Sequence, residues 1–141
     1  MAAFNKFNAF VEDLAERVHN LGADTLKVML TNTVPLATNS IRANLTEISA
    51  GNGYTAGGNS CTISSSGQTA GVYKLVLADT IFTASGGSIG PFRYAVLYND
   101  TPTSPADPLI GWYDYGAAVT LLDGETLTID FDATNGVLTV T

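Results

Sequence analysis

The sequence has few of the side chains from which catalytic or metal sites are built. It contains one cysteine, Cys61, and one histidine, His19, among 141 residues. A single cysteine excludes an internal disulfide and a cysteine-based zinc site, so we interpret Cys61 as a small, semi-buried residue of a strand. His19 has no recognisable orienting partner, and no serine lies in a nucleophile-elbow motif. The sequence therefore predicts a protein that is not an enzyme and that needs no metal or cofactor.

Charge is also scarce, and most of it is negative. Charged residues make up 13% of the sequence, with 13 acidic residues against 6 basic ones. Such a field repels phosphate backbones and anionic lipid head groups. No apolar run approaches the roughly twenty residues of a membrane helix, and charged residues interrupt the N-terminal stretch where a secretory signal needs an apolar run. We expect no binding to nucleic acid or membrane, and synthesis and residence in a cytoplasm.

A group of carboxylates in the C-terminal third is open to two interpretations. It can be read as catalytic pairs or a calcium site, or as solvated residues of strands and turns. The spacing does not match an EF-hand loop, and an Asp-Gly pair at 123–124 is typical of a hairpin turn. We favour the solvated interpretation for the whole group, which comprises Asp114, Asp123, Glu125, Asp130 and Asp132.

What the sequence does contain is alternation of apolar and polar residues, which is typical of half-buried β-strands. Near the C-terminus Leu127, Ile129 and Phe131 alternate with polar residues, which places one face in a core and the other in solvent. Asn135 and Gly136 form the pair best suited to a type I′ turn, so we predict a terminal hairpin. Turns separate about eight predicted strands, at 26–31, 61–64, 72–78, 92–98, 109–115, 118–122, 125–131 and 137–141.

One helix is predicted near the N-terminus, over residues 6–21. Its apolar residues follow the i, i+3, i+4, i+7 spacing of a single face. Asn5 or Asn8 is suited to cap its start, and Gly22 is suited to follow its last turn. The apolar face has two alternative roles: it covers the sheet of its own domain, or the phenylalanines at its start contact a second molecule. The sequence leaves both open.

A long loop is predicted between residues 33 and 59, and we call it the arm. Glycine clusters on either side of Tyr54 interrupt any strand pattern there. Loops of this length inside small domains are functional segments or disordered ones. We therefore expect the arm to be the part of the chain that most readily reaches a neighbouring molecule.

An aromatic cluster at Trp112, Tyr113 and Tyr115 is chemically able to stack on sugar rings. Alternation along a strand puts Trp112 and Tyr113 on opposite faces, which is more typical of one aromatic residue in the core and one at an interface. Carbohydrate binding is therefore the less favoured interpretation.

Length and pattern together predict one domain. We divide the chain into an N-terminal helix at 1–22 and a β-domain at 23–141. Short strands separated by turns favour an antiparallel β-sandwich, and the jelly roll is a common way to arrange eight strands in two sheets. The predicted fold is thus mainly β, a jelly-roll sandwich preceded by one α-helix.

Four stretches of the β-domain are distinctive: DTLKVML at 24–30, AGNGYTAGG at 50–58, GPFRYAVLYND at 90–100 and LIGWYDYG at 109–116. With these stretches, residues 23–141 resemble small virion proteins of tailed bacteriophages and prophages, in particular their capsid cement proteins, which stabilise the head. The stretches are distinctive in combination, and none of them encodes a chemical function.

The resemblance implies a jelly-roll protein that binds the outer surface of an assembled icosahedral capsid and reinforces contacts between neighbouring capsomers. Its implied partners are the major capsid protein and a second copy, as a homodimer at a twofold axis, and its implied location is the virion. The alternative is a tail or fibre module that recognises a host carbohydrate. The residues that we predict at interfaces are Phe4, Phe7, Phe10, Val11, Leu14, Tyr54 and Trp112.

Overall fold

The structure, a computed structural model, describes residues 2–141 and is mainly β. One seven-residue α-helix interrupts the strands, and a 3-10 turn at Arg42–Asn44 lies within the arm. No helix in residues 2–141 combines the length and the apolar character needed to cross a membrane. The elements in chain order are β1 Phe4–Lys6, α1 Ala9–Ala15, β2 Leu26–Thr31, β3 Asn59–Ser60, β4 Ile63–Thr69, β5 Val72–Leu77, β6 Thr80–Thr83, β7 Ile89–Asn99, β8 Leu109–Leu121, β9 Thr126–Ile129 and β10 Leu138–Val140.

The strands form three antiparallel sheets. A five-stranded sheet has the order β1-β8-β7-β2-β3, a three-stranded sheet the order β10-β5-β4, and β6 pairs with β9. Every pairing between strands is antiparallel. The prediction of a mainly β fold built from antiparallel sheets is therefore confirmed, and the arrangement is consistent with a β-sandwich.

The five-stranded sheet is buried on both faces. Along β7, Val96 and Leu97 point to opposite faces and are both almost fully buried. On one side Leu97 joins the main core, to which the other two sheets contribute Leu75 and Phe82. On the other side Val96 joins a second cluster, completed by Phe7 and the arm residue Leu45 together with Met29, Tyr94, Tyr98 and Leu109. The N-terminal segment (residues 2–22) and the arm thus cover the face of this sheet that points away from the main core.

The helix is shorter than the sequence predicts, because its flanks adopt other structures. Phe4–Lys6 is a strand, in which Phe4 pairs with Tyr113 of β8, so the chain enters the helix from a sheet edge. Arg17 takes a φ of +68° and ends the helical path, and the Val18 N–H donates to the Asp13 carbonyl at 2.8 Å. A helix does form inside the predicted range of 6–21, with Asn8 at its N-cap, but the predicted length, a hydrogen bond from the asparagine side chain and an end at Gly22 are wrong.

The predicted C-terminal hairpin is also wrong, because β9 pairs with β6 while β10 pairs with β5. A turn does form at 133–135, just before Gly136, and the Asp132 carboxylate holds it by accepting the N–H groups of Thr134 and Asn135, each at 2.8 Å. Gly136 has a φ of +81°, and a Cβ there would lie 2.6 Å from the Leu75 carbonyl oxygen. The turn therefore delivers the chain to a different sheet.

The turn at 123–124 behaves in the same way. It connects β8 to β9, which lie in different sheets, so the predicted hairpin does not form. The Gly124 N–H donates to the Ala84 carbonyl, and the Asp123 carboxylate accepts the Gly86 N–H at 2.9 Å, which ties the turn to the end of β6. The two strands predicted at 109–115 and 118–122 are one strand, β8, that continues through the positive φ of Gly116.

Candidate interaction surface

The arm is held against the five-stranded sheet by a polar cluster around Glu47. One carboxylate oxygen accepts a hydrogen bond from Arg42 at 2.7 Å, and the other accepts one from the Tyr54 hydroxyl at 2.8 Å. The Gly57 N–H also donates to this carboxylate, at 2.9 Å. Tyr54 in turn accepts the N–H of Leu30 in β2 at 3.1 Å. One carboxylate therefore joins three separate points of the arm, and Tyr54 links them to the sheet.

The pKa values in this cluster follow from its burial and its hydrogen bonds. Burial alone raises the pKa of Glu47, but the hydrogen bonds from Gly57, Tyr54 and Arg42 outweigh that effect and hold the pKa below its ordinary value. Burial, with the Glu47 carboxylate beside the hydroxyl, raises the pKa of Tyr54 above its ordinary value. Glu47 is therefore charged and Tyr54 neutral across the physiological range.

Backbone contacts extend this attachment along the arm. The Ile48 N–H donates to the Leu30 carbonyl, and the Leu109 N–H donates to the Ser40 carbonyl, each at 3.0 Å. Gly58, with a φ of +80°, passes so close to β2 that a Cβ there would lie 1.7 Å from the Val28 carbonyl oxygen. The arm is thus an ordered part of the domain, whereas the sequence left open an ordered or a disordered segment.

The N-terminal segment packs beside the arm. The Phe7 ring lies 4.5 Å from the Trp112 ring, measured between centroids, and the Phe7 N–H donates to the Ile110 carbonyl. The next residue, Asn8, donates its N–H to the Ala37 carbonyl of the arm at 2.9 Å. Helix α1 therefore begins at the point where the N-terminal segment touches the arm.

Three large apolar side chains are exposed on these two joined segments. Val11 on α1 is 53% exposed, and Val34 and Leu36 on the arm are 60% and 58% exposed. We call Val11, Val34 and Leu36 the helix–arm surface. Single exposed apolar residues are ordinary on protein surfaces, so what distinguishes these three is that they lie on two segments joined by the hydrogen bond from Asn8 to Ala37. The sequence pointed to Val11 and to the arm as a whole, but it carried no signal that selects Val34 and Leu36.

The residues that the sequence predicts at interfaces divide into three groups. Phe7, Phe10 and Tyr54 are buried within the chain, so their side chains form its core. Phe4, Leu14 and Trp112 are half-buried and pack at the margins of that core. Val11 is the one member of the set with an exposed side chain. Of the two roles left open for the helical apolar face, covering its own sheet is the one that Phe7 and Phe10 perform.

His19 joins the N-terminal segment to the main sheet from the inside. Its side chain is 5% exposed and its ring lies 5.2 Å from that of Phe10. The Nδ1 atom lies 3.1 Å from the amide nitrogen of Asn99, which also donates to Asp24 at 2.7 Å. Because that amide nitrogen is a donor, Nδ1 must accept and the proton resides on Nε2. Nε2 is buried and has no hydrogen-bond partner within residues 2–141.

The pKa of His19 reflects this enclosure. Burial lowers the pKa to about 4, although the Asp24 carboxylate acts in the opposite direction. The imidazole is therefore neutral at pH 7. Beside it lies an open cleft of about 840 Å³ between the N-terminal segment and β4, β5 and β10, lined by Leu14, Arg17, His19, Asn20, Leu21, Gly22, Ser66, Tyr73 and Val140.

The aromatic residues of β8 do not share one platform. Tyr113 belongs to the main core, whereas Trp112 packs on the second cluster on the other face of the sheet. Tyr115 is half-buried and lines a small cavity of about 260 Å³ together with Tyr113. A sugar ring cannot stack on all three side chains at once from one side of the strand.

Three further residues that the sequence offers as candidate sites, Cys61, Asp114 and Asp130, are respectively buried, ion-paired and exposed. Cys61 is buried, and burial raises the pKa of its thiol to about 11, so the unreactive thiol is the form present at neutral pH. Asp114 forms a two-point ion pair with Arg93, at 2.8 and 3.1 Å, and Asp130 is exposed. Across residues 2–141, no three His, Cys, Asp or Glu side chains converge in a way that suits a metal ion.

Comparison with known protein families, with curated proteins and with solved structures finds no match for this chain.

Proposed function

We propose that this chain is a capsid cement protein of a tailed bacteriophage, which binds the outer surface of the assembled icosahedral shell and reinforces contacts between neighbouring capsomers. The observation that carries the proposal is the resemblance of the four sequence stretches within 23–141 to such proteins. Its partners are the major capsid protein and a second copy at a twofold axis, and its location is the virion. The β-sandwich is, on this proposal, of the jelly-roll type, whose connections cross between two sheets as β8–β9 and β9–β10 do.

The helix–arm surface is the part of the molecule that we assign to the shell. Its exposed apolar side chains lie on segments that are already ordered by Glu47 and by the Asn8–Ala37 contact. A preordered segment loses little conformational entropy on binding, so a small contact suffices when it is repeated over many copies. Selective binding to the assembled shell then stabilises that state by mass action.

The first test counts the chain in purified virions by quantitative mass spectrometry against the major capsid subunit. We expect copies comparable in number to the capsid subunit, since a cement protein covers the shell. A handful of copies per particle would indicate a tail or fibre component and contradict the proposal, and absence from the virion would contradict it outright.

A second test measures binding of the purified chain to emptied, expanded shells by co-sedimentation. We expect Leu36→Asp and Val11→Asp to abolish binding, because each places a charge in an apolar contact. Two equally exposed residues supply matched controls: Leu122, 60% exposed, for Leu36, and Ile81, 55% exposed, for Val11. Equal loss with Leu122→Asp and Ile81→Asp would show that the helix–arm surface is not the contact.

A further inference from the structure

Strand β4 leaves one sheet edge open. Among residues 2–141 its hydrogen-bonded neighbour is β5 alone, and from Ser64 to Thr69 every residue is exposed. With seven residues it is the longest strand at an edge of any of the three sheets; β1 and β10 have three residues each, β3 has two, and β6 and β9 have four each. An exposed edge of this kind is a template for pairing with another strand.

The hairpin between β4 and β5 determines which backbone groups face outward. Its two-residue loop has positive φ at Ala70 and Gly71, as in a type I′ turn, and Thr69 and Val72 flank it as a pair. In such a hairpin the flanking pair exchanges backbone hydrogen bonds. From that pair onward, residues whose backbone groups point toward β5 alternate with residues whose backbone groups point away from it. The N–H and C=O groups of Gln68 and Ser66 therefore point away from β5. The Leu75 carbonyl, opposite Ser66, bonds to Val137 on the far side, as this alternation requires.

The sequence of β4 lacks the residues that usually block strand pairing, and the turn at Gly22 lies beside the strand, where a Cβ would be 3.2 Å from the Ser66 Oγ. The sequence ISSSGQT of β4 contains no proline and no charged residue. The one irregularity, between Ile63 and Ser65, lies at the start of the strand and leaves 65–69 regular. Copies of a chain with net charge −7 repel one another, so they approach most easily where negative charge is absent. The charged residue that pairs with β4 across the hairpin is Lys74, opposite Gly67.

From this geometry we infer that β4 pairs antiparallel with β4 of a second copy, about a twofold axis at Gly67. In that register Ser66 of each copy faces Gln68 of the other, and the outward groups of these residues exchange four backbone hydrogen bonds in all. The two three-stranded sheets become one six-stranded sheet. A strand that pairs with its own copy brings the same residue of both copies together at the axis and neighbouring residues of both copies close beside it, so an uncharged strand avoids like-charge contacts.

This inference names the contact of the dimer that the proposed function includes, and in that respect it rests on the proposed function. Its test does not need a shell. Gly67 is a suitable position for it, because its φ is not positive and a Cβ there meets no atom within 4 Å. A side chain at 67 therefore fits the monomer, whereas in the dimer two such side chains lie about 4.5–5.5 Å apart at their Cβ atoms.

The experiment is sedimentation equilibrium of the full chain over a wide concentration range. An interface this small is weak, so we expect a reversible, concentration-dependent dimer. Gly67→Lys should raise the dimer dissociation constant about tenfold or more, because two new lysines join the two copies of Lys74 in one row. Gly67→Ser is the matched control and should dimerise like the unchanged chain. Mixing the Lys variant with Gly67→Glu should restore association, because the charges are then opposite.

Three results would overturn the inference: a monomer at all concentrations, a dimer that Gly67→Lys leaves unchanged, or no recovery on mixing. Shell co-sedimentation separates this failure from that of the proposed function. A monomeric chain that still binds shells would refute the β4 pairing and leave the binding to the capsid standing, while a dimeric chain that ignores shells would refute the binding to the capsid and leave the β4 pairing standing. A monomer whose shell binding is lost in Gly67→Lys would assign the β4 edge to the capsid subunit and refute self-pairing.

Discussion

Acidification from pH 7 to pH 5 should destabilise this protein through His19. The folded chain encloses the imidazole, with Nδ1 facing an amide donor, and burial lowers its pKa from 6.5 to about 4. The unfolded chain therefore binds more protons than the folded chain between these pH values. When folding lowers the pKa of a basic group, the stability is retained above the pKa that the group has in the unfolded chain. It is lost as the pH falls from there toward the pKa that the group has in the folded chain.

The magnitude follows from the difference between the two pKa values. Each unit of difference corresponds to about 1.4 kcal/mol, so the loss approaches about 3 kcal/mol at pH 4 and is about 2 kcal/mol between pH 7 and pH 5. The pKa values of Glu47, Asp114 and Asp132 are lowered, so these carboxylates stay charged in the folded chain across that interval. Asp13, whose pKa is raised by burial and by the neighbouring Glu12, acts in the opposite direction, so a variant without the imidazole is needed to isolate the contribution of His19.

The assay is urea denaturation at pH 7 and pH 5, followed by Trp112 fluorescence and analysed as a two-state transition. The comparison variant is His19→Asn, whose side-chain oxygen can accept from Asn99 but which does not titrate. This variant loses the contact with the Phe10 ring and should be less stable at both pH values. The informative quantity is the difference between the two proteins in the change of stability with pH, which should be about 2 kcal/mol. Equal changes in the two proteins would show that His19 does not cause the loss.

Three further predictions concern the packing of the N-terminal segment and the arm. Phe7→Ala should lower the free energy of unfolding by about 3–5 kcal/mol in chemical denaturation, because Phe7 is fully buried. Val11→Ala, at an exposed position, should change it by less than about 0.5 kcal/mol. Similar effects of the two substitutions would contradict the observed packing. Glu47→Gln should lower the free energy of unfolding by about 1–3 kcal/mol and speed hydrogen exchange at the Gly57 amide. Glu16→Gln, at an exposed position, should do neither. An unchanged exchange rate at Gly57 would show that the Glu47 carboxylate does not hold the arm. Gly124→Ala, at a positive φ with open space around it, should lower the stability measured by thermal unfolding by about 1–2 kcal/mol. Gly58→Ala should lower it clearly more, because the Val28 carbonyl occupies the place of the new Cβ. Equal losses would place the arm farther from β2 than observed.

The elements that the sequence predicted well are those whose side chains alternate between core and solvent. In β5, Leu75 and Leu77 are buried where the alternation placed them, and Ile129 and Phe131 are buried in the C-terminal stretch. The central position of β7, between β8 and β2, matches its long apolar pattern. Such patterns are local, since a period of two residues already states which side chains must leave water. Local pattern therefore suffices for the presence of these strands and for the mainly β class.

The predictions that failed concern which segments pair with one another. Asn135-Gly136 and Asp123-Gly124 are good turn sequences, but a turn sequence does not state whether the following strand returns to its neighbour or crosses to another sheet. The apolar spacing of residues 6–21 suits a helix, yet Phe4–Lys6 hydrogen-bonds to β8 instead. Strand pairing is decided by distant residues, and no local period encodes it.

The sequence alone was enough to predict the secondary-structure class, the buried leucines of β5, the buried residues Ile129 and Phe131, and the small number of groups capable of chemistry. Only the folded structure shows that Phe7 and Phe10 lie in the core and that Glu47 fastens the arm. Only there is it also seen that Val11, Val34 and Leu36 are exposed on two segments that contact each other. It also left β4 at an open edge. The physical reason is that burial and pairing depend on contacts between residues far apart in the chain, and the free energy of those contacts exists only once the sheets have assembled.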